Sequence, residues 1–322
     1  MAVMNVICAI VFGSRYDLDD LEFQEMSQLS SDVVRLFASG QKLQILPLLK
    51  YLPIKLVKEI NAALLGRERL FGKKIKEHRD TFDNENIRDL TDAFIKATEE
   101  AEDEDSKVKK LITEEHMMMS IVDVFGAGFD TTSTTLQWAI AYLAKYPHVQ
   151  QRLHEELEEV VGRVRLPSLK DKENLPYLRA TITETLRIAS TVPFLAPHKT
   201  LVNTKLNSYD IPKDTIVLFN VWAMQHDPDA WENPFHFDPS RFIDVDGAFC
   251  YPKDRSFLPF GAGDRVCLGE SLAKTELMLF LSQLCHQFTF ACPENVPPPD
   301  LSPLFGVVSH PKPYKLCFIK KD

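Results

Sequence analysis

One uninterrupted run of 34 residues, 113–146, constrains the fold of this chain more than any other feature. The run contains no proline, opens with Thr113 and two glutamates as helix N-termini commonly do, and is followed by Pro147. At 1.5 Å per residue, a helix of this length measures about 50 Å. The sequence therefore predicts one helix that is long enough to cross a whole domain.

Helical patterns fill most of the first 190 residues. The helices predicted from apolar periodicity are 18–39, 54–82, 148–161, 177–189 and 267–287. Gly40 is expected to end the first of these. Residues 1–12 are apolar but too few to span a bilayer, so they predict a buried helix. The charged stretch 97–110 is predicted as a surface loop.

Beyond Pro193 the pattern changes to short β-branched runs that are separated by turn residues. The predicted strands are 200–203, 205–209, 215–220 and 314–319. Pro212 excludes a central strand at its own position, and 227–259 is predicted as coil. The sequence thus predicts a mainly α fold with a small β region (α+β), arranged around one core as a single domain over 1–322.

Charge and composition exclude several classes of protein. The 37 basic and 46 acidic residues give a net charge of −9, which argues against a nucleic-acid partner held by bulk electrostatics. A hydrophobic content of 45% and a charged content of 26% exclude wholesale disorder. The six cysteines are mostly solitary and do not suggest a disulfide scaffold, and the nine histidines show no zinc-binding spacing.

The strongest chemical signal is FGAGDRVCLG at 260–269, which leads into the predicted helix 267–287. A cysteine at a helix N-terminus, here Cys267, lies near the positive end of the helix dipole and near free backbone N–H groups, which favour its thiolate. Arg265 could reach a carboxylate at the rim of a cofactor, and Phe260 could cover the sulfur. The residues that let the backbone turn tightly and approach a flat cofactor are Gly261, Gly263 and Gly269.

Two simpler interpretations compete with a metal-binding cysteine. A glycine-rich loop before a helix can hold phosphate, but this loop matches neither G-x-G-x-x-G nor G-K-[ST] after a strand. A lone cysteine at a helix start is usually structural. Against both, the pattern F-x-x-G-x-R-x-C-x-G has a chance rate on the order of one in a few million windows. The pattern therefore favours a ligand role for Cys267, such as in an iron–thiolate site, over a purely structural one.

This pattern resembles the haem-binding loop of the cytochrome P450 family, and three further stretches resemble that family's motifs in the same order. Ala127-Gly128-Phe129-Asp130-Thr131 is similar to the oxygen-activation motif, and Glu184-Thr-Leu-Arg187 to the E-x-x-R helix. Pro239-Ser-Arg241-Phe242 resembles the meander motif, with Ser240 at the usual glutamate position. The resemblance covers essentially the whole chain and implies the cytochrome P450 fold, with haem bound through Cys267.

The resemblance also implies roles for residues outside the cysteine loop. Asp130 and Thr131 are implied to relay protons for dioxygen activation, and Ala127 and Gly128 to border the haem. A cluster of glycine and threonine is otherwise typical of a helix–helix contact. His198 matches a position that contacts a haem propionate, although a lone histidine is more often a satisfied polar residue.

Glu184 and Arg187 are spaced i,i+3 and therefore share a helix face. The resemblance implies a buried network of these two residues with Arg241, which braces the cysteine loop. The alternative is an exposed pair worth under about 1 kcal/mol. Asp264 places a negative charge on the cysteine side, where family members commonly carry a neutral or basic residue and where electron donors dock.

Three apolar stretches are candidates for a substrate pocket, and ordinary core is the equal alternative for each. Their residues are Phe125, Val192, Phe194, Leu195, Phe305 and Val307. Together they predict a lipophilic substrate. The run VFGAGFDTTSTT is similar to that of steroid 17-alpha-hydroxylating members and of relatives that oxidise polycyclic aromatic compounds. The expected reaction is insertion of one oxygen atom from dioxygen into a steroid, with a xenobiotic or polycyclic aromatic substrate as the alternative.

The resemblance to animal microsomal members implies partners and a location. Electrons are expected from NADPH–cytochrome P450 reductase, with cytochrome b5 as a second donor, at the endoplasmic reticulum membrane. The opening NVICAIVFGSRY is similar to a mid-domain helix of those members, so the family's amino-terminal part with its membrane anchor is expected to be missing. Two other interpretations stay open: a truncated form that cannot hold haem and has no activity, and a helical interaction protein without a cofactor.

Overall fold

The computed structural model describes residues 1–45, 48, 51–52, 54–103, 113–251 and 256–321. The chain forms two compact units, Met1–Thr131 and Thr132–Asp322. The helices of the first unit are α1 (Ala2–Phe12), α2 (Leu21–Ile45), α3 (Lys55–Asp80) and α4 (Leu90–Asp103). The long helix α5 (Glu114–Lys145) begins in the first unit and ends in the second, which confirms the predicted helix over 113–146. The helices of the second unit are α6 (Pro147–Val161), α7 (Pro176–Ala189), α8 (Val221–Gln225) and α9 (Glu270–Gln287).

The first unit is built from packed helix pairs. The prediction of a buried helix at the start of the chain is confirmed, because Met4, Ile7 and Cys8 of α1 are almost completely buried. Helix α1 packs against α4, where the Thr91 hydroxyl donates to the Val11 carbonyl at 2.7 Å. Helices α2 and α3 pack along each other.

Two predicted boundaries in the first unit are wrong. Helix α2 continues through Gly40, because a glycine inside a helix costs only about 1 kcal/mol relative to alanine and the next proline in the sequence is Pro47. The stretch 97–110 is helical up to Asp103, the last residue of α4. The remainder of that stretch, 104–110, lies outside the described residues.

In the second unit, α7 is buried along nearly its whole length and packs against α6 and α9. The Glu156 carboxylate of α6 accepts hydrogen bonds from the amides of Tyr177 at 2.6 Å and Leu178 at 2.8 Å. A side chain from the neighbouring helix therefore caps the N-terminus of α7. The predicted helices 148–161 and 177–189 are confirmed as α6 and α7, whereas α9 begins at Glu270 rather than at the predicted residue 267.

The described strands are short and form four two-stranded antiparallel sheets. The strands are β1 (His198–Lys199), β2 (Thr204–Leu206), β3 (Tyr209–Ile211), β4 (Ile216–Val217), β5 (Phe288–Ala291), β6 (Pro303–Leu304), β7 (His310–Pro311) and β8 (Cys317–Lys320). They pair as β1 with β4, β2 with β3, β5 with β8, and β6 with β7.

The strand predictions are confirmed in part. Segments 215–220 and 314–319 overlap β4 and β8, but 200–203 forms no strand. Segment 205–209 crosses the β2–β3 hairpin, because Asn207 has a φ of 52° and turns the chain there. Among the described residues, no helix is both long enough and apolar enough to cross a membrane.

Candidate active site

Cys267 lies in the loop of the second unit that leads into α9, and its thiol is exposed. Backbone hydrogen bonds close this loop on itself. The amide of Cys267 donates to the Phe260 carbonyl at 2.9 Å, and the amide of Val266 donates to the Gly263 carbonyl at 3.1 Å. Because α9 starts three residues after Cys267, a compact turn rather than the helix itself carries the sulfur.

The glycines of the loop determine its backbone path. Gly261 and Gly263 both have a φ of 74°, in the left-handed region that side chains disfavour. A Cβ at Gly261 would lie 3.4 Å from the Leu195 side chain, so the loop passes close to a predicted pocket residue. Gly269 is the N-cap of α9, and a Cβ there would lie 3.9 Å from the Cys267 sulfur.

The surface beside the thiol is apolar and open to solvent. Val266 is 45% exposed and Leu268 is 92% exposed. Arg265 and Asp264 are exposed as well, and the Arg265 guanidinium makes no hydrogen bond or ion pair with another described residue. A flat apolar group that carries carboxylates would cover the two apolar side chains and pair with the arginine.

One cationic residue next to the loop was missed by the sequence analysis. The Lys274 ammonium lies 5.3 Å from the ring centroid of Tyr251 and 5.3 Å from that of Phe260. It also donates to Glu270 at 2.6 Å, four residues earlier on α9. Burial acts to lower the pKa of Lys274, but Glu270 and Tyr251 raise it overall. The Glu-x-x-x-Lys spacing was readable from the sequence, whereas the ring contacts come from a distant segment.

The predicted pocket residues around 192–198 lie beside the segment that follows β4. His198 pairs with Val217 across β1 and β4, and its ring meets Phe219 edge-on at 5.0 Å. The ring nitrogens of His198 hydrogen-bond to none of the described residues. Phe194 is half exposed, Leu195 donates its amide to the Phe219 carbonyl at 3.3 Å, and Val192 is half-buried.

The other predicted pocket residues are divided between the two units. Phe305 is exposed and Val307 half-buried between β6 and β7 of the second unit. Phe125, in the first unit, is fully buried, with ring centroids 6.0 Å from Phe12 and 5.2 Å from Phe71. Within the first unit, Phe125 is thus part of an aromatic cluster.

The structure brings Glu184, Arg187 and Arg241 together in the second unit. Nε and Nη2 of Arg187 donate to the two Glu184 carboxylate oxygens at 2.7 and 2.8 Å, and Nε of Arg241 lies 3.4 Å from the carboxylate. The Asp238 amide donates to the same carboxylate at 3.0 Å. Burial raises the pKa of Glu184, and the Arg187 guanidinium works against that rise.

Aromatic side chains connect this network to the cysteine loop. The Arg187 guanidinium lies 5.0 Å from the Trp231 ring, and Trp231 contacts Phe257 with centroids 6.5 Å apart. Phe242, which follows Arg241, also contacts Phe257 at 5.7 Å. Phe257 lies three residues before Phe260, so it links the buried network to the start of the loop.

The oxygen-activation-like segment lies on α5, within the first unit. Asp130 and Thr131 are half-buried, and the Thr131 hydroxyl donates to the Ala127 carbonyl at 2.8 Å. A Cβ at Gly128 would lie 2.6 Å from Cδ1 of Ile7. At Gly128, the glycine therefore permits close packing of α1 on α5, as the helix-contact interpretation predicts.

Glu276, on α9, is a further buried acid that the sequence analysis missed. Its side chain is only 4% exposed, and neither carboxylate oxygen has a hydrogen-bond partner among the described residues. Burial raises the pKa of Glu276 to about 7. Its position nine residues after Cys267 gives no local signal of burial, because the surrounding α9 pattern is apolar on several faces.

Comparison with known proteins places these features in a family. A sequence model described as Cytochrome P450 matches residues 1–318. The steroid 17-alpha-hydroxylase/17,20 lyase of Rana dybowskii is 44% identical over 98% of this chain and 61% of its own length. The protein of the same name from Squalus acanthias is 40% identical over 98% of this chain and 62% of its own length. Cytochrome P450 1A1 of Limanda limanda is 41% identical over 99% of this chain and 61% of its own length.

The chain spans about three-fifths of the length of these relatives. The family match covers all four motifs, from Ala127 to Cys267, and nearly every residue before and after them. The predicted family resemblance and mainly α fold are confirmed. The chain belongs to the cytochrome P450 family.

Proposed function

We propose that the chain acts as a haem-thiolate monooxygenase, which inserts one oxygen atom from dioxygen into a lipophilic substrate, with Cys267 as the iron ligand. The observation that carries this proposal is the exposed Cys267 thiol on a glycine-turned loop ahead of α9, in a chain of this family. Membership of the family implies a haem-thiolate cofactor. The family match over 1–318 also supports a single domain over 1–322.

The residues around Cys267 fit a haem in three respects. A soft thiolate suits iron. Nothing lies within 4 Å of where a Cβ of Gly263 would be, so the loop leaves room for a flat group. Val266 and Leu268 offer exposed apolar surface, and Arg265 offers a cation without a described partner. When bound, haem supplies the dioxygen chemistry, and in cytochromes P450 its thiolate ligand favours O–O bond cleavage.

The loop residues have separate tasks in this proposal. Cys267 would hold the iron through its sulfur, and the hydrogen bond from its amide to the Phe260 carbonyl fixes where the sulfur lies. With haem bound, the Phe260 ring would help to keep water away from the sulfur. Arg265 and His198 bind propionate groups through charge-assisted hydrogen bonds. Glu184, Arg187 and Arg241 brace the loop through the aromatic contacts to Phe257.

Asp130 and Thr131 are proposed to move protons and Ala127 to border the haem, whereas the close approach of Ile7 to Gly128 favours a helix contact at that residue. A hydroxyl has one donor hydrogen and two acceptor positions. Because the Thr131 hydroxyl donates to Ala127, it must rotate away to donate a proton, and Asp130 would then pass to it a proton taken up from water. Thr131→Ala should therefore keep haem but release more peroxide per product, whereas Thr131→Ser should behave as wild type. Unchanged coupling in the alanine variant would remove Thr131 from this role.

We propose a steroid as the substrate. Support comes from relatives named steroid 17-alpha-hydroxylase/17,20 lyase, at 40–44% identity over nearly the whole chain. The apolar residues proposed to line the pocket are those of the second unit, Val192, Phe194, Leu195, Phe305 and Val307, because Phe125 is fully buried in the aromatic cluster of the first unit. A polycyclic aromatic or other xenobiotic is the second candidate, because cytochrome P450 1A1 of Limanda limanda is similar to the same degree.

The proposed electron donors are NADPH–cytochrome P450 reductase and cytochrome b5, at the endoplasmic reticulum membrane. Support comes from the resemblance of the sequence to microsomal members of the family, because no local motif in the chain identifies its electron donors. Asp264 is exposed on the cysteine loop, and its charge should slow docking of an acidic donor rather than prevent it. Asp264→Asn should accordingly raise the association rate with reductase at low ionic strength.

Absorption spectroscopy of the 322-residue chain, produced with a haem supply, tests the proposal. The reduced protein with carbon monoxide should show the red-shifted absorption of a thiolate-ligated haem. Cys267→Ser should abolish this absorption, whereas Cys317→Ser, at another exposed cysteine of the same unit, should retain it. Retention in the Cys267 variant would refute the ligand assignment.

Wild-type protein without any haem absorption would contradict the proposal and favour a helical protein without a cofactor. The substrate class is tested by optical titration of the haem-loaded chain with steroids and with polycyclic aromatic hydrocarbons. Tighter binding of the aromatic compounds would replace the steroid proposal by the second candidate.

A further inference from the structure

Three attractive contacts converge on the ammonium group of Lys274. Its Nζ lies 5.3 Å from the centroids of both Tyr251 and Phe260, within the distance at which a ring face attracts a cation. Its hydrogen bond to Glu270, at 2.6 Å, directs the side chain back along α9. The Lys274 side chain is 33% exposed, so water only partly screens these contacts.

The contact with Phe260 acts on the residue that begins the cysteine loop. Phe260 accepts the amide hydrogen of Cys267 at 2.9 Å, and that bond closes the loop. Lys274 itself belongs to the regular part of α9 (Glu270–Gln287), four residues after its first residue. A charged side chain of α9 therefore contacts the residue that begins the cysteine loop.

The simplest alternative is that Lys274 is only one half of a solvated i,i+4 pair with Glu270. Such a pair stabilises a helix slightly but has no effect on a neighbouring loop. The two rings argue against this alternative, because Tyr251 and Phe260 come from outside α9 and both face the same ammonium group. A solvated pair would gain nothing from such an arrangement.

We propose that Lys274 is a positioning residue, which holds Phe260 against α9 and thereby fixes Cys267 through the Phe260 carbonyl. The importance of this role for iron ligation rests on the proposed function, whereas the coupling of Lys274 to the loop does not. The relevant comparison is between Lys274→Met, which removes the charge and keeps an apolar stem, and Lys274→Arg, which keeps the charge.

Hydrogen exchange of the haem-free 322-residue chain measures the coupling directly. In Lys274→Met the amides of 260–269 should exchange about threefold faster, because a cation–π contact of this kind is lost. Lys274→Arg should restore the wild-type rates. Lys205→Met, which breaks the exposed Lys205–Asp210 pair at 3.2 Å, should leave these amides unchanged.

The double variant with Phe260→Leu decides whether Phe260 is the intermediary. If it is, Lys274→Met should add no further acceleration in the Phe260→Leu background. An equal acceleration in both backgrounds, or none in either, would overturn the proposal. Failure of the arginine variant to restore the rates would also overturn it, because the charge would then not be the cause.

In the haem-loaded chain, Lys274→Met should lower the share of protein that gives the thiolate type of carbon monoxide absorption, and Lys274→Arg should restore it. An unchanged share alongside faster loop exchange would overturn the link to iron ligation. If wild-type protein shows no haem absorption, the proposed function fails, while the exchange experiment still decides the role of Lys274.

Discussion

Replacing Glu184 by glutamine removes one charge from a buried ion pair and keeps the shape of the side chain. Glu184 and Arg187 are both fully buried, with side chains 0% exposed. In Glu184→Gln the guanidinium stays buried without its counter-charge, and the new amide N–H group faces guanidinium N–H groups at contact distance. The Asp238 amide also faces an altered acceptor. We expect the free energy of unfolding to fall by about 3–5 kcal/mol, the range for breaking a buried pair from one side.

Urea unfolding followed by tryptophan fluorescence measures this loss in the relevant part of the chain. All three tryptophans, Trp138, Trp222 and Trp231, lie in the second unit with Glu184. With a urea m-value of about 2 kcal/mol per molar, the transition midpoint should fall by about 2 M. Wild type and variants are compared without haem, so that haem binding does not contribute to the measured stability.

The matched control is Glu173→Gln, which breaks the Glu173–Arg179 pair at 2.6 Å on the surface of the same unit. Glu173 is 74% exposed, so its variant should lose less than about 1 kcal/mol. The reasoning is refuted if the two glutamine variants differ by less than about 0.5 kcal/mol, since burial would then not determine the cost of losing the carboxylate.

Three further predictions concern other residues of the chain. Gly128→Ala should destabilise the chain by about 1–3 kcal/mol, because the added Cβ clashes with Ile7. Gly126→Ala should stabilise it by up to about 1 kcal/mol, because no atom lies within 4 Å of the added Cβ. Urea unfolding followed by circular dichroism compares the two variants, and equal effects would contradict the packing described. Because burial raises the pKa of Glu276 to about 7, the free energy of unfolding should fall by about 3 kcal/mol as the pH rises from 4.5 through 7. In urea titrations across this range, Glu276→Gln should abolish that fall. An unchanged pH dependence in the glutamine variant would show that Glu276 does not cause the fall. Glu156→Ala should lower the stability of the chain by about 1–2 kcal/mol, because it removes the cap of α7. Glu156→Gln should lower it less. Thermal unfolding measures both variants, and the opposite order would exclude the cap.

The helices were predictable where local signals agreed with one another. For α5 and α6, the absence of proline, the acidic first turn, Pro147 and Gly162 all marked the same boundaries. The prediction that Gly40 ends its helix was wrong, because glycine disfavours a helix by only about 1 kcal/mol and a packed helix overrides that preference. The β region was less predictable, because a single residue with positive φ, Asn207, converted a predicted strand into a hairpin.

The cysteine loop was predictable as a motif, but its supports were not. Cys267, Phe260 and the glycines stand close together in the sequence, so their spacing carried the information. The contacts of Lys274 with Tyr251, and of Trp231 with Phe257, join segments that are distant in the chain. Burial of Glu276 was invisible for the same reason, because it depends on which elements cover α9.

Every described sheet has two strands, so each described strand leaves one row of backbone donors and acceptors unpaired. The β2–β3 hairpin carries charged Lys205 and Asp210, which discourage further pairing. β8 differs, since Cys317, Phe318 and Ile319 are all exposed along it. At millimolar concentrations we expect chains to associate along this edge, and air oxidation would then trap covalent dimers through Cys317. Storage with a reducing agent, or a Cys317→Ser background, should prevent the covalent dimers that form through Cys317.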